Sequence, residues 1–283
     1  MQATLWSLVD MSDPKRVFDE ITAIMGITFP GYDARLIDQV FADVSRLFAG
    51  QYPGYRKCNT TYHDLGHTTD ASLAMVRLIH GAVTGGEGLS EKNATLGLVC
   101  ALLHDAGYIQ TVDDTEGTGA KYTMNHIERS ARFAQGYFGE IGLSEQDVSS
   151  CESILRCTGL SVKIEEITFG SREIELLGQM MGTADLLGQM ADEQYVEKLP
   201  ILYSEFQEGR VPGFSSEYDL LKSTSGFFEM VKKRCAQEFG NVSRYTVLHF
   251  RARWGIDRDL YEEAITGNIV KLRELLKTFE TGR

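Results

Sequence analysis

The sequence predicts an all-α fold, a single compact multi-helix bundle, and three observations predict it. Apolar residues recur at helix spacing along most of the 283 residues, runs that alternate in strand fashion are nearly absent, and helix-starting side chains stand before several of the stripes. A chain of this length also hides about three quarters of the surface its unfolded form exposes, enough for one self-sufficient core.

Asp13-Pro14 supplies a cap and a first-turn proline ahead of Val17, Phe18, Ile21 and Ile24, which predicts a short first helix. A longer one is expected from about Tyr32 to Phe48, on the stripe Leu36, Ile37, Val40, Phe41, Val44 and Leu47, with Gly50 at its exit. Gln51 to Thr61 reads as a loop and Tyr62 to Ile79 as the next helix. After the glycine-rich 81–88 connection, Ser90 and Asn93 open a helix that is apolar on all sides through Leu103, as expected of a helix inside the molecule. The 107–121 connection carries three glycines, Asp113, Asp114 and Glu116, and its length suits a lid or a substrate wall. Helical pattern returns from Met124 to Phe138. Ser144-x-x-Asp147 is a short-acid capping box that opens a helix to about Cys157. Lys163 to Thr168 reads as extended. Further helices are expected over Ile174 to Met190, Tyr195 to Phe206, Tyr218 to Phe239 and Asp257 to Phe279, with Pro200 and Pro212 marking breaks. No repeat or interdomain linker interrupts the chain, so residues 1–283 read as one domain, with 240–283 as a helical extension packed on the core.

Lys and Arg number 28 against 40 Asp and Glu, a formal charge of −12. That field disfavours extended nucleic acid and anionic membranes as partners, but it leaves room for a small phosphorylated molecule if a metal ion reverses the local sign. Five cysteines, at 58, 100, 151, 157 and 235, have no CxxC or framework spacing and read as reduced thiols of a cytoplasmic protein. The first residues show no secretory signal, and the most apolar stretch, Leu96 to Leu103, is too short to cross a bilayer. The chain contains no GxxxxGK[ST] loop, no GxGxxG fingerprint and no GxSxG elbow.

The chemistry concentrates in a few polar interruptions. In Tyr62-His63-Asp64-Leu65-Gly66-His67-Thr68-Thr69-Asp70 the two histidines are four apart, so a helix would turn both to one cavity, and Asp70 could join them as ligand or as an imidazole acceptor. His104-Asp105 ends an apolar helix. His126 and Glu128 lie in another helix, and Asp185 breaks an apolar stretch where an uncompensated carboxylate is costly. Four of the six histidines fall in these places. Mixed nitrogen and oxygen donors suit Mn, Fe, Co, Ni or Zn, with Mg in a more oxygen-rich position. His80 and His249 have no comparable surroundings and read as solvent-facing or structural.

The order His67, His104-Asp105, Asp185 resembles the H…HD…D signature of the HD superfamily of metal-dependent phosphohydrolases. Tyr62-His63-x-x-x-His67-x-x-Asp70 is similar to the metal-site motif of its cyclic-nucleotide phosphodiesterase branch, over a core of about 62–228. The resemblance implies that His67, His104, Asp105 and Asp185 hold one divalent ion strongly, with Asp105 also approaching a second, weaker site. It implies that His63 acts as general acid, that Asp64, Asp70, His126 and Glu128 stand around the ligands or at the second metal, and that Tyr62, Tyr108, Thr224 and Phe227 line the substrate pocket.

Two departures bear on the second metal site and on the substrate in turn. Tyr108 stands where the phosphodiesterases have a further histidine, and Thr224 stands where they have the glutamine that reads a purine. A hydroxyl lacks the paired donor and acceptor of an amide. The expectation is hydrolysis of a small phosphomonoester or phosphodiester, a nucleotide among the candidates, by metal-activated water. The competing readings are a regulatory protein that binds a nucleotide or metabolite on the same scaffold, and an iron-dependent oxygenase.

Overall fold

Local capping fixes where many of the helices begin. Asp13, Asp64, Ser90, Ser144, Ser171 and Ser216 each accept a hydrogen bond from a backbone N–H of the turn that follows. Ser144 and Asp147 complete the reciprocal capping box. The computed structural model describes residues 3–281. Among them are eleven α-helices: α1 (Pro14–Thr28), α2 (Arg35–Phe48), α3 (Leu65–Thr84), α4 (Glu91–Leu103), α5 (His126–Glu140), α6 (Glu145–Arg156), α7 (Arg172–Met190), α8 (Tyr195–Glu208), α9 (Glu217–Gln237), α10 (Tyr245–Trp254) and α11 (Leu260–Thr281). No strand occurs among the described residues, and the one isolated β-bridge joins Tyr55 to Thr111. The fold is an all-α, compact multi-helix bundle.

Three local expectations need correction. The helix expected from Tyr62 starts at Leu65, because Asp64 takes the cap in extended conformation and leaves Tyr62 and His63 in the preceding loop. Lys163 to Thr168 holds a 3-10 turn at Ile164–Glu166 rather than an extended segment. Pro200 does not end a helix: α8 continues through it to Glu208, held by Leu199 and Leu202 in the core on either side. The ring forgoes one backbone bond, which that burial offsets.

The centre of the bundle is α3, whose residues are buried almost without interruption from Thr68 to Ala82. It is packed on by α1, α4, α7 and α10. Two glycines permit these contacts. A Cβ at Gly81 would lie 1.9 Å from the carbonyl oxygen of Tyr245, so α10 reaches the α3 backbone only because none is there. A Cβ at Gly188 would lie 2.8 Å from the backbone nitrogen of Ala71, so α7 crosses α3 closely at that point. Ala71 is one turn beyond His67 and Gly188 nearly one turn beyond Asp185. The crossing that the glycine allows therefore draws the imidazole and the carboxylate together.

The last two helices contribute to the central packing. Tyr245, Thr246, His249 and Phe250 of α10 are buried, as are Tyr261, Asn268 and Leu272 of α11. His249 and His80 are both buried rather than solvent-facing, with their Nδ1 atoms 3.2 Å apart. All five cysteines are free, and Cys100, Cys151 and Cys157 are core residues. No helix among the described residues is long and apolar enough to cross a membrane.

Candidate metal centre

Three helix ends or interruptions supply the donors. The Asp64 side chain accepts from the His67 N–H at 2.9 Å, which anchors the first turn of α3 and sets His67 on it. His104 is the residue that closes α4, and its ring Nδ1–H donates to the Ala101 carbonyl at 2.8 Å. That bond commits the proton to Nδ1 and leaves the Nε2 lone pair free, the state a ligating histidine needs. Asp185 comes from the middle of α7, between buried Ala184 and Leu186.

These groups converge. His67 Nε2 lies 3.1 Å from Asp185 Oδ1 and 3.6 Å from Asp105 Oδ2. His104 Nε2 lies 3.4 Å from Asp105 Oδ2, 3.6 Å from Asp185 Oδ1 and 3.5 Å from His67 Nε2. Bonds of ~2.1 Å place tetrahedral neighbours ~3.4 Å apart, so His67, His104 and Asp185 already stand near the spacing a shared ion imposes, with Asp105 set against the two imidazoles. Asp105 Oδ2 is buried and has no hydrogen-bond partner, although it sits within reach of both imidazoles. An acceptor left without a donor in such a place is explained by a cation. The side chains of His67, His104 and Asp105 are 9%, 2% and 3% exposed, against 21% for Asp185, so Asp185 stands at the mouth of the cluster.

The electrostatics agree with the donor chemistry. Burial alone would push His104 down, but Asp105 and Asp185 beside it reverse this and hold it at about 9. His67 is raised as well: burial opposes the charged ring, and the Asp185 hydrogen bond and the two carboxylates outweigh it. Asp185, despite its burial, is held far below the carboxylate range by hydrogen bonds from His104 and His67. The cluster binds positive charge, either as protons on its rings or as an ion in their place.

Beside it lies a second constellation. His63 Nδ1 is 2.6 Å from Glu205 Oε2, and the other carboxylate oxygen accepts from the backbone N–H groups of Thr61 and Tyr62, both at 2.7 Å. His63 is thereby fixed from both sides: its Nδ1 by Glu205 and its ring by Tyr108, stacked at 4.3 Å between centroids. The His63 and His67 rings are 5.8 Å apart. Tyr62 packs edge-on against His63 at 5.1 Å. His126 also stacks on Tyr108, at 4.6 Å, with its ring 6.4 Å from that of His63, and its Nδ1–H donates to the Thr123 carbonyl at 2.7 Å, which frees its Nε2. Burial lowers His126, partly opposed by the Asp105 charge.

Four of the expected residues are not brought to this cluster. Asp70 is not among the converging donors and lines a cleft with Asp192 and Lys198. Glu128 is exposed. Thr224 is buried on α9, where its hydroxyl donates to the Leu220 carbonyl of its own helix at 2.8 Å. Phe227 packs partly buried against the core, and no hydrogen bond, ion pair or ring contact joins it or Thr224 to the donor cluster. Glu205 was not anticipated from the sequence. It follows Tyr195, Leu199 and Leu202 on the buried face of α8, and a carboxylate on an apolar stripe is the same signal that marked Asp185.

Residues 112–239 match a family model described as Npun_R2479-like. The match covers less than half of the chain and includes His126, Asp185 and Glu205, but not His63, His67, His104 or Asp105. No curated protein and no solved structure matches. The chain is thus an all-helical protein with a buried His/His/Asp cluster able to chelate a metal ion.

Proposed function

We propose that this protein is a metal-dependent phosphohydrolase of the HD type, acting on a small phosphomonoester or phosphodiester. The observation that carries the reading is the juxtaposition of the four-donor cluster with a carboxylate-held histidine, His63, one ring-width away. His67, His104, Asp105 and Asp185 would hold a divalent ion, of the Mn, Fe, Co, Ni, Zn or Mg class. When bound, the ion supplies an acidified water and positive charge against the phosphoryl oxygens.

The chain's own residues supply the rest. His63 protonates the departing oxygen from Nε2, Glu205 holds the Nδ1 edge of that ring, and Tyr108 and Tyr62 restrict its tilt and exclude water. Asp105 fixes the remaining edge of the donor set. His126, with its free Nε2 beside Tyr108, faces the same region and serves as a positioning group for substrate or for a weaker second ion. Because Thr224 spends its hydroxyl on its own helix, a purine edge has no reader there, and selective cleavage of cyclic AMP or cyclic GMP is not expected.

Elemental analysis and turnover in one metal series test the reading. Wild-type protein should carry divalent metal and hydrolyse p-nitrophenyl phosphate or bis(p-nitrophenyl) phosphate. His63→Ala should keep metal and lose turnover of an alkyl phosphate, with a smaller loss on the p-nitrophenyl esters, and His67→Ala should lose metal and turnover of both. Inactivity of metal-loaded wild type across monoesters, linear diesters and cyclic nucleotides would favour the regulatory reading instead.

A further inference from the structure

Two carboxylates on one face of α8 each hold a loop that leads to a histidine of the site. Glu205 takes Thr61, Tyr62 and His63, and Glu208, three residues on, takes Thr118. The Thr118 hydroxyl donates to Glu208 Oε2 at 2.6 Å, and its N–H donates to Oε1. Thr118 opens the 3-10 turn Gly119–Tyr122, its Oγ1 accepting from the Ala120 N–H at 3.2 Å. The turn closes on Thr123, whose N–H and hydroxyl donate to the Ala120 carbonyl at 3.0 and 2.7 Å. The Thr123 carbonyl then accepts the His126 Nδ1–H at 2.7 Å. An unbroken series of hydrogen bonds thus runs from Glu208 to the His126 ring.

The packing agrees with it. A Cβ at Gly209, the residue that closes α8, would lie 2.7 Å from the Ala120 carbonyl oxygen and 2.8 Å from Thr123 Cβ, so the end of the helix sits directly on this turn. The connection before the turn is fastened as well. Arg56 Nη1 donates to the Asp114 carbonyl at 2.7 Å, Gln110 Nε2 to the Glu116 carbonyl at 2.9 Å, and the Gly119 N–H to Asn59 Oδ1 at 2.9 Å. The 107–121 segment is therefore a fixed wall, and it delivers His126 to one place.

The chemistry of that place follows from the proton position. With Nδ1–H given to Thr123, the neutral His126 ring presents Nε2 as an acceptor only. Burial, which lowers His126, favours this neutral form. A phosphoryl oxygen is itself an acceptor, so the partner that suits Nε2 is a hydroxyl. The His126 ring is 6.4 Å from that of His63, and both stack on Tyr108. His63 is the acid of the departing oxygen, so the group beside it is the organic part of the ester. We propose that His126 Nε2, set in place by Glu208, accepts a hydrogen bond from a hydroxyl of the substrate's departing group, which makes the preferred substrate a phosphoester of a polyol or sugar rather than of a plain alcohol. This assignment rests on the phosphohydrolase reading of the same site.

Isothermal titration of metal-loaded His63→Ala protein with glycerol 3-phosphate and with propyl phosphate tests it without need of turnover, each variant first shown to be folded by circular dichroism. Glycerol 3-phosphate should bind ~5-fold more tightly, the scale of one neutral hydrogen bond. Adding His126→Phe, which keeps a ring against Tyr108, or Glu208→Ala should abolish that difference and leave propyl phosphate within ~2-fold. Glu208→Gln should restore the preference, because its amide can accept from the Thr118 N–H and donate to the Thr118 hydroxyl. Equal binding of the two phosphates, or a preference that survives either His126→Phe or Glu208→Ala, would overturn the proposal. Loss of a second equivalent of metal in His126→Phe would overturn it too, by making the ring a ligand. A hydroxyl preference in a wild type that hydrolyses neither ester would support the contact while refuting the hydrolase reading.

Discussion

Replacing Glu205 with glutamine separates the orientation of His63 from the holding of metal. The wild-type carboxylate accepts three hydrogen bonds, at 2.7, 2.7 and 2.6 Å, from Thr61 N, Tyr62 N and the His63 ring. Glutamine can keep its oxygen on the two backbone N–H groups, but its amide N–H then meets His63 Nδ1, donor against donor, unless the ring moves its proton to Nε2. One charge-assisted bond is lost, and the expected destabilisation is ~1.5–3 kcal/mol in urea denaturation. Glu205→Ala strands the two N–H groups as well and should cost ~3–5 kcal/mol. The catalytic signature lies in the leaving group. General-acid assistance contributes ~10²–10⁴-fold where the departing oxygen is basic, so Glu205→Gln should depress turnover of an alkyl phosphate by that order. Turnover of p-nitrophenyl phosphate, whose leaving group needs little protonation, should fall much less, and metal content by elemental analysis should stay at the wild-type level. An equal loss on both esters, or loss of metal, would refute the assignment of Glu205 as the positioning residue of a general acid.

Asp105→Ala and Asp185→Ala should each lower the metal-to-protein ratio after dialysis by at least ~10-fold, since each removes a carboxylate that faces both imidazoles; stoichiometric metal in both folded variants would argue against the site. His249, pressed down to about 2 by burial and by the Arg77 and His80 charges, stays neutral in the folded state but takes up a proton in the unfolded chain below its ordinary value of ~6.5. The unfolded state then binds more protons, so stability falls as pH drops through 6.5 toward 2, by up to ~1.4 kcal/mol per pH unit. Urea titrations at pH 7.0, 6.0 and 5.5 should show a shallower slope in His249→Gln. Gly81→Ala should destabilise by ~3 kcal/mol or more, because its methyl would enter the Tyr245 carbonyl. Gly136→Ala, on an exposed part of α5 with nothing within 4 Å, should stabilise by ~0.5–1 kcal/mol, and thermal melts of the two compare them directly.

The helical class and most helix positions are written locally. Periodic apolar residues and Ser or Asp caps act within one or two turns, so Ser144-x-x-Asp147 and the Asp185 interruption are readable without knowing what they meet. His67, His104-Asp105 and Asp185 could likewise be nominated from the polar breaks they make in apolar runs. Other decisions depend on partners distant in the chain. Whether His63 shares a helix with His67 depends on where α3 starts, and that start is set by the Asp64 cap rather than by the histidine spacing. Glu205 meets Thr61, Tyr62 and His63 more than 140 positions earlier, a contact created when α8 docks against the loop before α3. The donor spacing itself is set by Gly188, whose missing side chain lets α7 approach α3 at Ala71. Sequence determined which residues have the chemistry to hold a metal and carry a proton; the close packing of helices far apart in the chain decided which of them share a site, because side-chain convergence to within 4 Å is a property of backbone crossings and not of local pattern.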